Sequence, residues 1–116
     1  MSNIIPESCQ VDEALSILFG KWKPIIMLHL MASGTMRYGE LLKKLPKITS
    51  KVLASQLREL EEKKLIKRVV YPQAPPKVEY SITDYGMTLK PILDAMNDWG
   101  ENHAKVKQRE EVSEKK

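Results

Sequence analysis

Residues 38–63 read YGELLKKLPKITSKVLASQLRELEEK, and the order of residue types in this stretch decides the fold. Tyr38 to Leu45 has the spacing of a short helix with Leu41, Leu42 and Leu45 turned inward. Pro46 breaks it, since proline has no backbone donor to continue the helix. Lys47-Ile48 then makes a tight turn. Thr49 is a good N-cap, and the helix it opens runs to about Lys63. Leu53, Leu57 and Leu60 form the inner stripe of that helix, with Val52 beside them. The opposite face carries Ser50, Lys51, Ala54, Ser55 and Arg58. It is small, polar and basic, with no acid before Glu59.

Downstream, Leu65 to Tyr71 contains Ile66, Val69 and Val70 and favours a strand. Lys77 to Ile82 alternates, with Val78, Tyr80 and Ile82 on one face. The run Pro72-Gln73-Ala74-Pro75-Pro76 cannot extend a ladder, so the two strands form a hairpin with a stiff, proline-rich tip. Upstream, Val11, Ala14, Leu15 and Leu18 mark one face of a first helix that Gly20 ends. A second helix runs from about Lys21 to Ala32, with Pro24 in its first turn. It is apolar nearly all round, which makes it central and buried, and Trp22 reads as a core anchor. Thr35-Met36-Arg37 fits a very short strand. Thr83 caps a last helix, Asp84 suits its first turn, and Pro91 should bend it. Leu89, Ile92, Leu93, Met96 and Trp99 mark its apolar side.

The chain has 116 residues, enough for one domain with a modest core, and a net charge of +4. The excess positive charge lies in the middle third. Residues 37–68 hold ten basic and four acidic side chains, while the segments on either side each net −1. A compact basic surface there attracts a polyanion. One Cys permits no internal disulfide and points to a cytoplasmic protein. The N-terminus has no signal-peptide pattern, and the longest apolar run is too short to span a bilayer. No Gly-rich phosphate loop, nucleophile elbow or metal-ligand spacing is present, so an enzyme is the weakest class and no cofactor or metal is expected.

These elements give an α+β, mostly α chain: a winged helix-turn-helix, with Tyr38–Lys63 as the helix-turn-helix and the hairpin as the wing. Its physics suits double-stranded DNA. The second helix of the unit fits a major groove while the first braces it across the backbone. Ser50, Ala54 and Ser55 allow close approach, Ser50 and Ser55 tune specificity, and Lys51 and Arg58 supply affinity and some base readout. Arg37, Lys43, Lys44, Lys47, Arg68 and Lys77 mainly position the protein on phosphates. The alternative is a winged helix that docks onto a larger protein complex. That role has no need for +6 gathered on the helix-turn-helix and the start of the hairpin.

Four stretches carry a family resemblance: Cys9, Gly20-Lys21-Trp22, Leu57-Arg58-Glu59-Leu60-Glu61, and Tyr71-Pro72 through Pro75-Pro76-Lys77-Val78-Glu79-Tyr80. Arg37 to Leu41 and Thr83 to Gly86 match in type. Over about residues 9–100 the sequence resembles the HxlR-type winged-helix transcriptional regulators, relatives of the MarR group. Lys64 departs from the pattern, because a glycine usually follows the recognition helix in that family. The resemblance implies a bacterial homodimeric DNA-binding regulator, and the expected action is repression from an inverted-repeat operator. Its C-terminal helix (about 84–104) and first helix (about 9–19) would form the dimer surface. Leu15, Leu89, Ile92, Leu93, Met96 and Trp99 are the interface candidates.

The resemblance also makes Cys9 a candidate sensor of oxidants or electrophiles, with an inert thiol as the plainer reading. A small-molecule or oxidant effector thereby joins the expected partners. His29 reads as a packed histidine, and the methionines as core filler. In this reading residues 1–8 form a flexible arm, 9–104 the folded domain, and 105–116 a charged, disordered tail.

Overall fold

The computed structural model describes residues 10–18 and 20–114. The expected arm, Cys9 and Phe19 lie outside the described residues. The elements run α1 (Val11–Leu18), α2 (Trp22–Ser33), β1 (Thr35–Arg37), α3 (Tyr38–Lys44), α4 (Ser50–Glu62), β2 (Ile66–Tyr71), β3 (Lys77–Ile82), α5 (Asp84–Met87) and α6 (Lys90–Glu114). This is a winged helix-turn-helix, mostly helical, with one small sheet.

The apolar character of α2 places it at the centre. Ile26, Met27 and Leu30 are wholly buried, and Trp22 packs against the same cluster. Around them gather Leu41 and Leu45 from α3 and its cap, Leu53, Leu57 and Leu60 from α4, and Leu65 and Ile66 from the start of the hairpin. Gly34, at φ +84°, closes α2 by returning its N–H to the Leu30 carbonyl at 2.8 Å. The sheet is antiparallel in the order β1-β3-β2. Met36, Tyr80 and Arg68 lie opposite one another across the three strands. Met36 and Tyr80 are buried, so this row belongs to the inner face.

The turn between α3 and α4 follows from its residues. Ile48 N–H reaches the Leu45 carbonyl at 3.3 Å. Pro46 occupies the second position, and Lys47 the third at φ +74°. This is the residue pattern of a type II turn, with lysine where glycine is usual. Lys64 behaves in the same way. It takes φ +63° directly after α4, which explains why a glycine suits that position in the resembling family.

The C-terminal third departs from expectation. Thr83 caps only the short α5, accepting from Gly86 N–H at 2.9 Å and donating to the Lys64 carbonyl at 2.7 Å. The chain then restarts as α6, and Pro91 lies in its first turn, where no backbone donor is needed, so it bends nothing. Helix α6 continues through Gly100 to Glu114, so 105–114 is helical and not the disordered tail the charge run suggested. Leu93 is 1% exposed and belongs to the core, which removes it from the interface candidates. Met87 and Met96 are exposed, so core filler describes Met27 and Met36 but not them.

Two substitutions at the hairpin base should have opposite signs. A Cβ on Gly86 would overlap the Leu65 carbonyl, which is backbone and cannot swing aside. Gly86→Ala should therefore destabilise by about 1–3 kcal/mol. Lys64→Gly relieves a left-handed lysine and should stabilise by roughly 1 kcal/mol or less. Thermal melts of both variants check the pair.

Candidate nucleic-acid interface

Burial of the Leu53-Leu57-Leu60 stripe turns the other face of α4 outward. Lys51, Ser55 and Arg58 are exposed along it, as expected. Thr49 accepts from Val52 N–H at 3.2 Å and starts the helix. The first turn of α4 contains no acid, so the positive helix terminus and Lys51 act together.

Three residues differ from their expected roles. Val52, expected beside the inner stripe, is exposed and adds methyl groups to the outer face. Ser50 is exposed, but its hydroxyl is held 2.5 Å from the Tyr38 hydroxyl. Tyr38 donates its own proton to the Ser50 carbonyl at 2.7 Å, so the serine hydroxyl donates in return. This pair locks the start of α3 to the start of α4 and sets how the two helices cross. Ala54 is half-buried in a cleft against the wing.

The expected phosphate-positioning residues fall into three groups. Lys43, Lys44 and Lys47 are exposed around the turn. Arg37 and Lys77 line a hollow of about 290 Å³ between the start of α3 and the proline-rich tip. Arg58 and Arg68 line a cleft of about 320 Å³ between α4 and the wing. Lys77 is partly engaged already. Its ammonium lies 3.8 Å from the Glu79 carboxylate and 5.0 Å from the centre of the Tyr71 ring. The neighbouring Glu79 carboxylate pushes the Tyr71 hydroxyl above the usual phenol range.

Lys23 is the site residue that pattern reading missed. Among the described residues it is the buried charged side chain, and its ammonium reaches Glu59 on α4 at 2.8 Å. Gln56 adds a bond to the same carboxylate at 3.2 Å. The signal was a lone lysine at the start of an otherwise apolar helix. The Lys23 contact holds the Glu59 carboxyl below its ordinary range. The first acid of the recognition helix is thereby neutralised from inside the protein.

Among the described residues no single helix is long and apolar enough to cross a membrane. A braced helix whose outer face is basic and free of acids from Ser50 through Arg58, flanked by a wing, is the architecture of a helix-turn-helix transcription regulator, a DNA-binding class and not an enzyme. Residues 17–108 match the family described as HxlR-like helix-turn-helix, and the chain belongs to that family. The uncharacterized HTH-type transcriptional regulator YdeP of Bacillus subtilis is 50% identical over 97 residues, covering 84% of this chain and 75% of that protein. The structure described as the redox regulator HypR in its reduced form superposes with a TM-score of 0.80 at 43% identity, covering 84% of this chain and 96% of that one. Its oxidized form gives 0.76 at 45% identity, covering 81% and 96%. A MarR-family structure from Enterococcus faecalis V583 gives 0.74 at 38% identity, covering 94% and 96%.

The lowered Glu59 pKa fixes the sign of a pH effect. A carboxyl with a depressed folded-state pKa contributes stability above its unfolded pKa, and that contribution is lost as pH falls through the folded value. Unfolding midpoints compared between neutral and acid pH should therefore fall further in the parent than in Glu59→Gln. Equal falls would show that the Lys23 contact contributes nothing to stability.

Proposed function

We propose that this protein binds operator DNA as a homodimer, inserting α4 into the major groove of an inverted repeat and repressing by occupying the promoter. The outer face of α4, basic and free of acids from Ser50 through Arg58, carries the reading. Lys51 and Ser55 face the base edges, Val52 offers methyl groups to a thymine methyl, and Ala54 permits close approach. Arg37, Lys43, Lys44 and Lys47 position the protein on phosphates. The family membership supports a regulator over a docking module.

The dimer reading is supported by apolar side chains left in solvent. Leu15 on α1 and Ile92, Met96, Trp99 and Val106 on α6 are all exposed, with Trp99 at 68%. On α6 they recur with His103 at alternating steps of four and three, the spacing of a helix–helix seam. Trp99 and His103 stack with ring centres 4.9 Å apart. A twofold axis along this seam would present two copies of α4 to successive major grooves. Leu89 is half-buried against the core and would lie at the margin of the seam.

Duplex affinity should fall steeply with salt, with a log–log slope of about −0.9 per phosphate neutralised. A flat response would overturn the reading. Lys51→Ala should weaken cognate binding by roughly 1–3 kcal/mol. The double variant Met96→Glu/Trp99→Glu should sediment as a monomer and bind an inverted-repeat duplex far more weakly. Selection from a random duplex pool tests operator symmetry directly.

The likeness to HypR supports a further part of the proposal, an oxidant response through Cys9. Diamide would take two electrons from two thiols and join the subunits. Treatment should change the duplex affinity of the parent and leave Cys9→Ser unaltered. No change in the parent removes Cys9 from the function.

A further inference from the structure

Arg58 and Arg68 come from elements that the sequence treats separately, yet they line one cleft. Arg58 is the ninth residue of α4, about 12 Å along the axis from Ser50. In a helix-turn-helix the N-terminal residues of the recognition helix meet the base edges, so Arg58 stands back toward the groove wall. Arg68 pairs in register with buried Tyr80, on the inner face of the sheet. That alternation points Arg68 toward α4 and away from the open side of the wing. Buried Leu57 and Tyr80 line the same cleft, as does Glu61. Among the described residues, neither guanidinium is in an ion pair.

We infer that Arg58 and Arg68 together grip a single backbone phosphate of the duplex at the junction of recognition helix and wing. This moves Arg58 from base readout to phosphate positioning, and it rests on the proposed insertion of α4 into DNA. Two planar guanidinium forks converging from different elements suit the several acceptor oxygens of one phosphodiester. The Glu61 carboxylate in the same lining opposes the bound anion. A shared phosphate also fixes the angle of the wing relative to α4, because one anion ties both.

The test is a double-mutant cycle on one cognate duplex, read across a salt series. Parent, Arg58→Ala, Arg68→Ala and the double variant are compared, with circular dichroism and melting curves confirming folding. Both side chains are exposed, so the fold should survive. Each single variant should weaken binding about 10-fold, and the double by clearly less than the roughly 100-fold product, since both act on one contact. Each single variant should keep nearly the parental salt slope, because the phosphate retains one cation. The double should lose about 0.9 of slope. The ratio of cognate to scrambled-duplex affinity should be unchanged in Arg58→Ala, and Glu61→Gln should tighten binding.

Independent losses that multiply, with about 0.9 of slope lost in each single variant, would assign the arginines to separate phosphates and overturn the inference. Relaxed preference at one base pair in Arg58→Ala would make it a base reader and do the same. If Lys51→Ala weakens salt-sensitive binding while the arginine effects multiply, only the shared phosphate falls. If the parent shows no salt-sensitive duplex binding, the DNA reading falls and takes this inference with it.

Discussion

The contact between the leucine stripe of α4 and the apolar centre of α2 is the constraint on which the rest depends. Leu53, Leu57 and Leu60 are buried against the cluster built around Ile26, Met27 and Leu30. Each buried leucine contributes on the order of 1.5–3 kcal/mol, so rotating α4 about its axis would be costly. That rotational lock presents Lys51, Ser55 and Arg58 to solvent. Polar ties refine it at both ends. Tyr38 and Ser50 hold the entry of α4 to α3, and Lys23 and Glu59 hold its later turns to α2.

The electrostatics of the recognition helix follow from the same packing. Its N-terminal half has cations and no acids, whereas Glu59, Glu61 and Glu62 crowd its last turn. Lys23 occupies the acid nearest the middle of the helix. The negative end is thus partly compensated from within, and the positive end is left free. The wing continues this division, placing Arg68 beside the helix and engaging Lys77 with Glu79 and Tyr71.

Helix α6 does two jobs along its length. Its first turn seats Leu93 in the core and rests on α2. Beyond Asp94 its side chains through Glu111 are exposed, while the helix itself runs on to Glu114. Twenty-five residues span about 37 Å, longer than the body of the protein needs for its own packing. The exposed row from Ile92 to Val106 is the part of the surface whose burial would stabilise an assembly. It lies on a different side of α6 from the residue that anchors it.

Local chemistry made much of this legible in the sequence. Leucine spacing revealed α3 and α4, Pro46 and Thr49 marked the turn and cap, and β-branched residues before the prolines with alternation after them revealed the hairpin. Each of these signals acts over a few residues, which is the range at which helix and strand periods operate. The family resemblance carried the regulator class. Only tertiary structure decided that Leu93 faces inward while Ile92 faces outward, since both lie on the apolar side of one helix. It also decided that Val52 is exposed, that Ser50 is held by Tyr38, that Lys23 meets Glu59, and that Arg58 and Arg68 share a cleft. Those outcomes depend on which elements pack together across the chain, and the order of residues along one helix or strand does not record that choice.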